Sequence, residues 1–426
     1  MVSALFALSV SSSALLVLLA GAVLLEGCVA DEAVIATNGQ GALVVNTTNP
    51  AVFPVLLNGI DVIGALEDQQ RAYKERQQLL EQLQRDNSIQ SEQISALRST
   101  ACQLNPPSWS TINGAGSGSY KWLHGVLAPN GLIYGIPFGA TAVIIIDPST
   151  DTLDTTSIVN LPPDPFKWAG GVLAPNNNII YGFPSHQDSV LKIDPATNTA
   201  DWTTITSAGT GEFKFTSGVL ANNGLIYGIP FYASFVLIID PATDTIDTTS
   251  ISGLGSENSK WRGGVVVPDG RIFCTPSHAD SVLIIDPDTN AVDTTSIAGL
   301  GSGQLKWTDA VLAHNGLIVG IPNSSGIVLF IDPSTMTADT TSISGLEGTL
   351  AWNGGALGTG GIIAAVPFDS DAVLLIDPFL KTADATSLTA VGSAPGKFNF
   401  AVATDDGKVI GIPRDATHAL VITPGC

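Results

Sequence analysis

Residues 260–297 read KWRGGVVVPDGRIFCTPSHADSVLIIDPDTNAVDTTSI, and the same order of features recurs in six further units between about Asn105 and Cys426. An aromatic residue, usually behind a lysine, opens the units at Trp122, Trp168, Phe215, Trp261, Trp307, Trp352 and Phe398, at intervals of 45 to 47 residues. An aspartate before proline returns at Asp147, Asp194, Asp240, Asp286, Asp332 and Asp377. A unit of this length holding several β-rich runs is the pattern of a propeller blade. Gly, Pro and Asx breaks inside every unit exclude a helical solenoid. Residues 100–426 are therefore expected to form an all-β, seven-bladed β-propeller.

Four strands can be placed in each unit. Pro129-Asn130-Gly131 and Pro268-Asp269-Gly270 carry the Asn-Gly or Asp-Gly pair of a type I′ hairpin and join strand A, Gly-Val-Leu-Ala, to strand B, Leu-Ile-Tyr-Gly-Ile-Pro. Strand C is the apolar Val-Leu-Ile-Ile run, as a strand covered on both faces requires. Asp-Pro-x-Thr turns the chain into strand D, expected in the β-branched Asp-Thr-Thr-Ser-Ile run, with Asp as turn acceptor and Pro fixing φ. The seventh unit stops at Cys426 before its strand D. Ser110-Thr111-Ile112 stands nine residues before Lys121, the interval that also separates Ile158 from Lys167 and Ile251 from Lys260. This N-terminal segment is expected to complete the last blade and leave the ring without an open edge. Cys102 and Cys426 would flank that seam, and a disulfide between them is expected. Cys274 replaces a strand-B glycine and reads as a buried structural thiol.

Ahead of the repeat the composition changes twice. Residues 1–30 contain an uncharged run from Ala4 to Leu25, long enough to cross a bilayer, with small-residue cleavage patterns at Ala20-Gly21-Ala22 and Cys28-Val29-Ala30. A cleaved signal peptide, an uncleaved membrane anchor through residues 4–25 and a lipidated Cys28 all send the chain out of the cytoplasm, to a secreted or cell-surface location. Asn46-Thr47-Thr48 and Asn323-Ser324-Ser325 are N-glycosylation sequons compatible with that route. Residues 31–65 suggest an apolar stalk or short strands. Residues 66–99 are rich in Gln, Glu, Arg and Leu without Gly or Pro and predict a helix. Its imperfect heptad stripes, Leu66, Tyr73, Leu80, Asn87, Ile94 and Gln69, Arg76, Leu83, Gln90, Leu97, fit either a homo-oligomeric coiled coil through residues 66–98 or a solvated spacer.

Charge removes one class of partner. With 17 Lys and Arg against 38 Asp and Glu, the net charge is −21, and no nucleic-acid partner is expected, because a phosphate-binding surface needs clustered basic residues and five of the 17 fall in one short segment, Arg71 to Arg98. No cofactor is expected. The Asp147, Asp151, Asp154 pattern offers oxygens for a structural calcium ion, but lacks the glycine and closing Glu of a calcium loop and reads better as turn acceptors.

The order aromatic, Gly-Val, Pro-Asn/Asp-Gly, Ile-Tyr, Val-x-Ile-Asp-Pro resembles the blades of YVTN-type and NHL-type β-propellers over residues 105–426. The resemblance implies blade architecture and leaves surface proteins, interaction modules and lactonase-like or lyase-like enzymes all within range. In such enzymes a metal is usually held in the central channel by non-repetitive Glu, Asn, Asp or His. Here the strand-A positions keep returning Gly-Val-Leu-Ala, and no convergent acidic set breaks the repetition.

If strand A is innermost, the B–C and D–A loops share one face, where the variable B–C loops are the expected place for ligand contacts. The candidate ligand-binding residues are Phe138, His186, Phe231, Tyr232, His278 and Phe368 in those loops, with Lys121, Lys167, Lys214, Lys260, Lys306 and Lys397 beside the aromatics Trp122, Trp168, Trp261, Trp307 and Trp352. A Lys and Trp ring could stack sugars or bind anions. In the other reading the aromatics wedge the blades apart and the lysines are solvated. His186 and His278 are one whole blade apart from being neighbours, which favours loop histidines over a metal pair. The expected function is a non-enzymatic, secreted or surface-displayed binding or structural head for a protein or carbohydrate ligand. The alternative is a propeller hydrolase or lyase with a channel metal.

Overall fold

The computed structural model describes residues 33–37, 43–47, 56–57, 60–61, 68–83, 85–86, 89–90, 93, 105–346 and 348–425. The chain divides into two compact units, residues 1–95 and 96–426. In the first, Ala33–Thr37 pairs antiparallel with Leu43–Thr47, and Leu56–Leu57 with Ile60–Asp61. Residues 68–83 are helical, and Tyr73, Leu79, Leu80 and Leu83 are exposed on that helix. Cys102, Cys426, the 1–30 segment, Asn87, Ile94 and Leu97 lie outside the described residues. Among the described residues no helix is long and apolar enough to cross a membrane.

The second unit is a seven-bladed β-propeller: seven antiparallel sheets of four strands, with the A strands of successive blades adjacent and the last returning to the first. Blade 1 comprises strand A Trp122–Leu127, B Ile133–Pro137, C Ile144–Asp147 and D Thr152–Asp154. Ser108–Asn113 pairs with His418–Thr423 and supplies the fourth strand of blade 7, so the N-terminal segment closes the ring. There is no single core. Seven apolar clusters lie between successive sheets, and each contains one of the repeated aromatics, from Trp168 between blades 1 and 2 to Trp122 between blades 7 and 1. The strand-A glycine lets the next layer in: a Cβ on Gly218 would stand 2.1 Å from Cζ of Phe183, which enters from the preceding blade.

Two local expectations are corrected. Strand D ends at the aspartate rather than starting there, because each of these carboxylates captures the residues that follow and bends them away from the ladder. Asp201 accepts from the Thr203 amide at 2.8 Å and the Thr204 amide at 3.3 Å, and from both threonine hydroxyls. The closing strand carries Ser110 in that register, opposite Val421 as Asp154 stands opposite Ile145, has no carboxylate to bend it, and stays paired over six residues. The A–B hairpin is also not type I′. Ala128 bonds Leu132 and the Gly131 amide bonds Ala128, with Gly131 at φ 79° and Asn130 outside the left-handed region, which is a three-residue loop of a type I turn followed by a left-handed glycine. Asn130 then spends its amide on Tyr134 Oη and on Pro195 O of the next blade.

Candidate functional site

Strand A opens and strand B ends on the same face, since Trp122 pairs with Pro137, so the D–A and B–C loops surround one mouth of the central channel. The repeated lysines are not solvated there. Lys121, Lys167, Lys214, Lys260, Lys306 and Lys397 are buried, and their ammonium groups donate to backbone carbonyls. Lys214 Nζ reaches Ser185 O at 3.0 Å and Gln187 O at 2.7 Å in the preceding blade, and Gly211 O at 3.3 Å in its own loop. Lys306 repeats this on Ser277, Ala279 and Gly303. Each lysine ties a D–A loop to itself, and most also hold the neighbouring B–C loop, because a buried ammonium must be given acceptors. The indoles are equally occupied. Trp122, Trp168, Trp261, Trp307 and Trp352 are buried, with Nε1 donating to Ala142, Ser189, Ser281, Ile327 and Ala372 carbonyls respectively. They are the wedges between blades.

The residue that does face the mouth is the one before each lysine position. Tyr120, Phe166, Phe213, Ser259, Leu305 and Leu350 all have φ between 48° and 60°, a left-handed conformation that bulky residues avoid. Strain of this kind, on the order of 1–3 kcal/mol per residue, persists where the surroundings over-determine it. A lysine tie follows directly on five of the six, and Leu350, which precedes Ala351, instead donates its amide to Ser324 Oγ at 3.2 Å. The result is a contiguous aromatic rim: Phe166 lies 5.4 Å from Tyr120, 5.0 Å from Phe138 and 5.5 Å from Phe213, and Phe213 lies 5.4 Å from Tyr232, which stacks on Phe231 at 5.1 Å. Of the sequence candidates, Phe138, His186, Phe231, Tyr232 and Phe368 are brought to this mouth. His186 sits edge-on between Phe166 and Phe213, at 5.2 and 4.5 Å. His278 is not brought to it; it lines a separate groove of about 560 Å³ with Lys260, Trp261 and Asp280. Burial pushes both imidazoles below the ordinary histidine range. Asn323 is also displaced from its expected role. Its side chain is buried and the amide donates to Trp352 O at 2.7 Å, which closes the sequon nitrogen in the folded head. Asn46 lies in the Leu43–Thr47 strand.

Below the rim, every A strand shifts register just after its aromatic, between Trp122 and Gly125 in blade 1 and equivalently elsewhere. A bulge re-aims side chains, and here it turns them into the channel. The bulge pairs are Leu123-His124, Ala169-Gly170, Thr216-Ser217, Arg262-Gly263, Thr308-Asp309, Asn353-Gly354 and Asn399-Phe400. These pairs break the strand-A repetition, and Asp309 is the one acidic residue among them. The Gly-Val half changes only to Ala-Val in blades 5 and 7 and to Gly-Ala in blade 6, whereas the two residues before it carry a different pair in each blade. The second position alternates, with glycine in blades 2, 4 and 6. A Cβ on Gly263 would stand 2.4 Å from the Ala310 nitrogen, and one on Gly354 2.4 Å from Cα of Phe400, so alternate blades must be bare there. Seven being odd, the alternation fails once, and the two large side chains His124 and Phe400 meet at 4.8 Å.

Rim and bulges enclose a funnel of about 270 Å³, lined by Phe138, Phe213, Phe231, Ser185, Arg262, Asn353, Asn399 and Arg414 among others. Four polar atoms of this lining have no hydrogen-bond partner: Ser185 Oγ, Arg262 Nε, Asn353 Oδ1 and Asn399 Oδ1. Arg262 lies over the Phe400 ring at 5.7 Å from the centroid, and among the described residues no carboxylate is within 4.0 Å of it. Asp309 is the nearby acid; burial drives its carboxyl up to about 7, against the pull of the Gly355 and Ala310 amides and of Arg262. Burial drives His124 down to about 4. Among the described residues no group of three or more His, Cys, Asp or Glu could hold a metal ion, and Asp147 spends its carboxylate on Ser149 and Thr150. Cys274 is free and buried, and burial raises its thiol well above the usual range.

No family model matches this chain. No curated protein matches it either. Solved structures do. The chain is similar to virginiamycin B lyase from Staphylococcus aureus at 10% identity and a TM-score of 0.59, over 74% of this chain and 99% of that one. It is similar to the extracellular domain of a one-component system from B. thetaiotaomicron at 10% identity and a TM-score of 0.55, over 73% of this chain and 39% of that one. The WD40 propeller domain of Doa1 matches at 11% identity and a TM-score of 0.55, over 74% of this chain and 97% of that one. At such identities the likeness speaks for the propeller fold alone.

Proposed function

We propose that this chain is a secreted or cell-surface binding protein whose propeller presents the funnel to a protein or carbohydrate ligand. One observation carries the proposal: polar atoms without partners, beneath an aromatic rim held in a costly backbone conformation. Buried polar groups are almost always paired within the fold, so a cluster of orphans around one cavity asks for a partner from outside. Those groups are amides, a hydroxyl and a guanidinium, which orient a ligand and do not exchange protons near neutrality; this favours binding over the hydrolase or lyase alternative. The uncharged segment of residues 4–25 supports export or anchoring, and the extracellular domain among the similar structures is compatible with it. The exposed Leu80 and Leu83 support association through the helix. The test is a glycan and peptide array probed with the full chain and with the double variant Phe213→Ala, Leu305→Ala. Alanine keeps the left-handed residue non-glycine while removing the rim side chain. Retained binding by the double variant, or no binding by the parent protein, would refute the proposal.

A further inference from the structure

The funnel floor combines three chemistries, and together they define a ligand more narrowly than the rim does. We infer that it is a site for a single acidic sugar residue, with Arg262 taking the carboxylate of a uronate and the rim taking the face of the ring. The inference rests on the funnel being the binding site.

The cation comes first. Arg262 is held rigidly by its own backbone, since its carbonyl accepts the hydroxyls of Thr216, at 3.3 Å, and Ser217, while Gly263 behind it packs against the backbone of Asp309. Its side chain projects into the channel with Nε unpartnered and without an ion pair among the described residues. A guanidinium whose Nε is out of solvent and unpartnered calls for a planar oxyanion. Asp309 forms no ion pair with Arg262 among the described residues, and its two oxygens accept from Ala310 N at 2.9 Å and Gly355 N at 3.2 Å. Arg414, the other guanidinium of the lining, is paired with Asp415 at 2.8 Å and stacked 3.7 Å over Tyr120.

The remaining orphans exclude a bare carboxylate. Asn353 and Asn399 are buried, each with its Oδ1 unpartnered, and Ser185 Oγ is buried and unpartnered as well. Whichever way the two amides are turned, they present hydrogen-bonding atoms that an acid's apolar body would leave unmet. A ring carrying several hydroxyls can both donate and accept around the floor. Its C–H face suits Phe138, Phe213 and Phe231. A cavity of about 270 Å³ holds one such ring, below the ~300–1,000 Å³ of ordinary small-molecule sites. Polyanions are disfavoured by the net charge of −21, so the acid is one residue of an otherwise neutral ligand or a terminal unit.

The experiment is calorimetric titration of the full chain with methyl glucuronide and methyl glucoside, which differ only at the carboxylate. The parent protein should bind the glucuronide at least about tenfold more tightly. Arg262→Gln should erase that preference, and Asp309→Asn, which removes the competing acid, should increase it, most clearly above pH 7. Should Arg262→Gln not fold, as judged by its melting temperature, the Asp309→Asn titration decides alone. Equal affinity for both sugars in the parent protein, or an unchanged preference in Asp309→Asn, overturns the acid site. If equal binding is lost in the rim double variant, funnel binding stands without the acid site. Binding of neither sugar overturns this inference, and the array result for the rim variant judges the parent proposal separately.

Discussion

Replacing single lysines of the ring by methionine tests whether they are structural ties. Methionine keeps most of the aliphatic stem, so no large cavity forms and the loss is mainly of hydrogen bonds. In Lys214→Met, Ser185 O keeps the backbone amide of residue 214 at 3.2 Å, whereas Gln187 O and Gly211 O have no other bond among the described residues. Lys306→Met strands Ala279 O and Gly303 O in the same way. Gly211 and Gly303 are exposed and Gln187 and Ala279 half-buried, so the loss is of hydrogen bonds to a charged group, about 1.5–3 kcal/mol each, of which renewed hydration of the carbonyls and no longer burying an ammonium return part, and each variant should lose about 2–3 kcal/mol. Lys167 donates only to Asp164 O, at 3.0 Å, so Lys167→Met should lose under about 1 kcal/mol. With roughly 2.1 cal/mol/K of unfolding entropy per residue, a ring melting as one unit should drop by about 3–4 °C for the first two and by about 1 °C for the third. Calorimetry of the full chain reads the difference. Equal and negligible shifts in all three would return the lysines to solvent. A large loss in Lys167→Met equal to the others would break the link between cost and the number of stranded carbonyls.

Removing residues 105–113 should expose the edge of His418–Thr423 and bare the surface that Ile112 covers, lowering the melting temperature and causing concentration-dependent association; a variant that melts like the parent would refute closure by this strand. The aspartates that end strand D should give the stability of the head an acid limb. The Ser157 and Ser250 hydroxyls hold Asp154 and Asp247 below the usual carboxylate range, and Asp201, despite the opposing effect of burial, is drawn down to about 2 by Thr204 and Thr203. Their folded values are depressed, so this stabilisation is complete above the unfolded value near ~4 and is lost as pH falls toward ~2. The contribution of these aspartates should hold from pH 7 to about 4 and then fall, which the difference in melting temperature between the parent and Asp201→Asn reads: the variant should be lower at pH 7 and the difference should shrink below pH ~4, and a difference independent of pH would count against the turns. In the helix, placing Asp at Leu80 and Leu83 should convert a sedimenting oligomer to monomer, and a parent chain that is monomeric at tens of micromolar leaves only the spacer.

The period of 45 to 47 residues, the Asp-Pro turns and the fixed interval from Ile112 to Lys121 sufficed for the ring, its blade number and its closure, because strand pairing within a blade is local and repeats itself. The face on which the loops gather followed from strand order alone. What the tertiary structure decided was the direction in which each side chain points. A lysine beside a tryptophan looks the same in sequence whether its ammonium meets solvent, an anion or three carbonyls, and only the approach of the preceding blade's B–C loop selects the last. The bulge after each aromatic is likewise invisible in a repeat read as Gly-Val-Leu-Ala, although its trace was present: the two residues before that motif change from Leu-His to Arg-Gly to Thr-Asp while the two that follow them vary only among Gly, Ala and Val. Side chains that pack between blades are constrained to be alike by the repeated geometry. Those that a bulge turns toward the axis meet the other blades across the channel, where seven unlike residues can share one cavity, and that convergence exists only once the ring is closed.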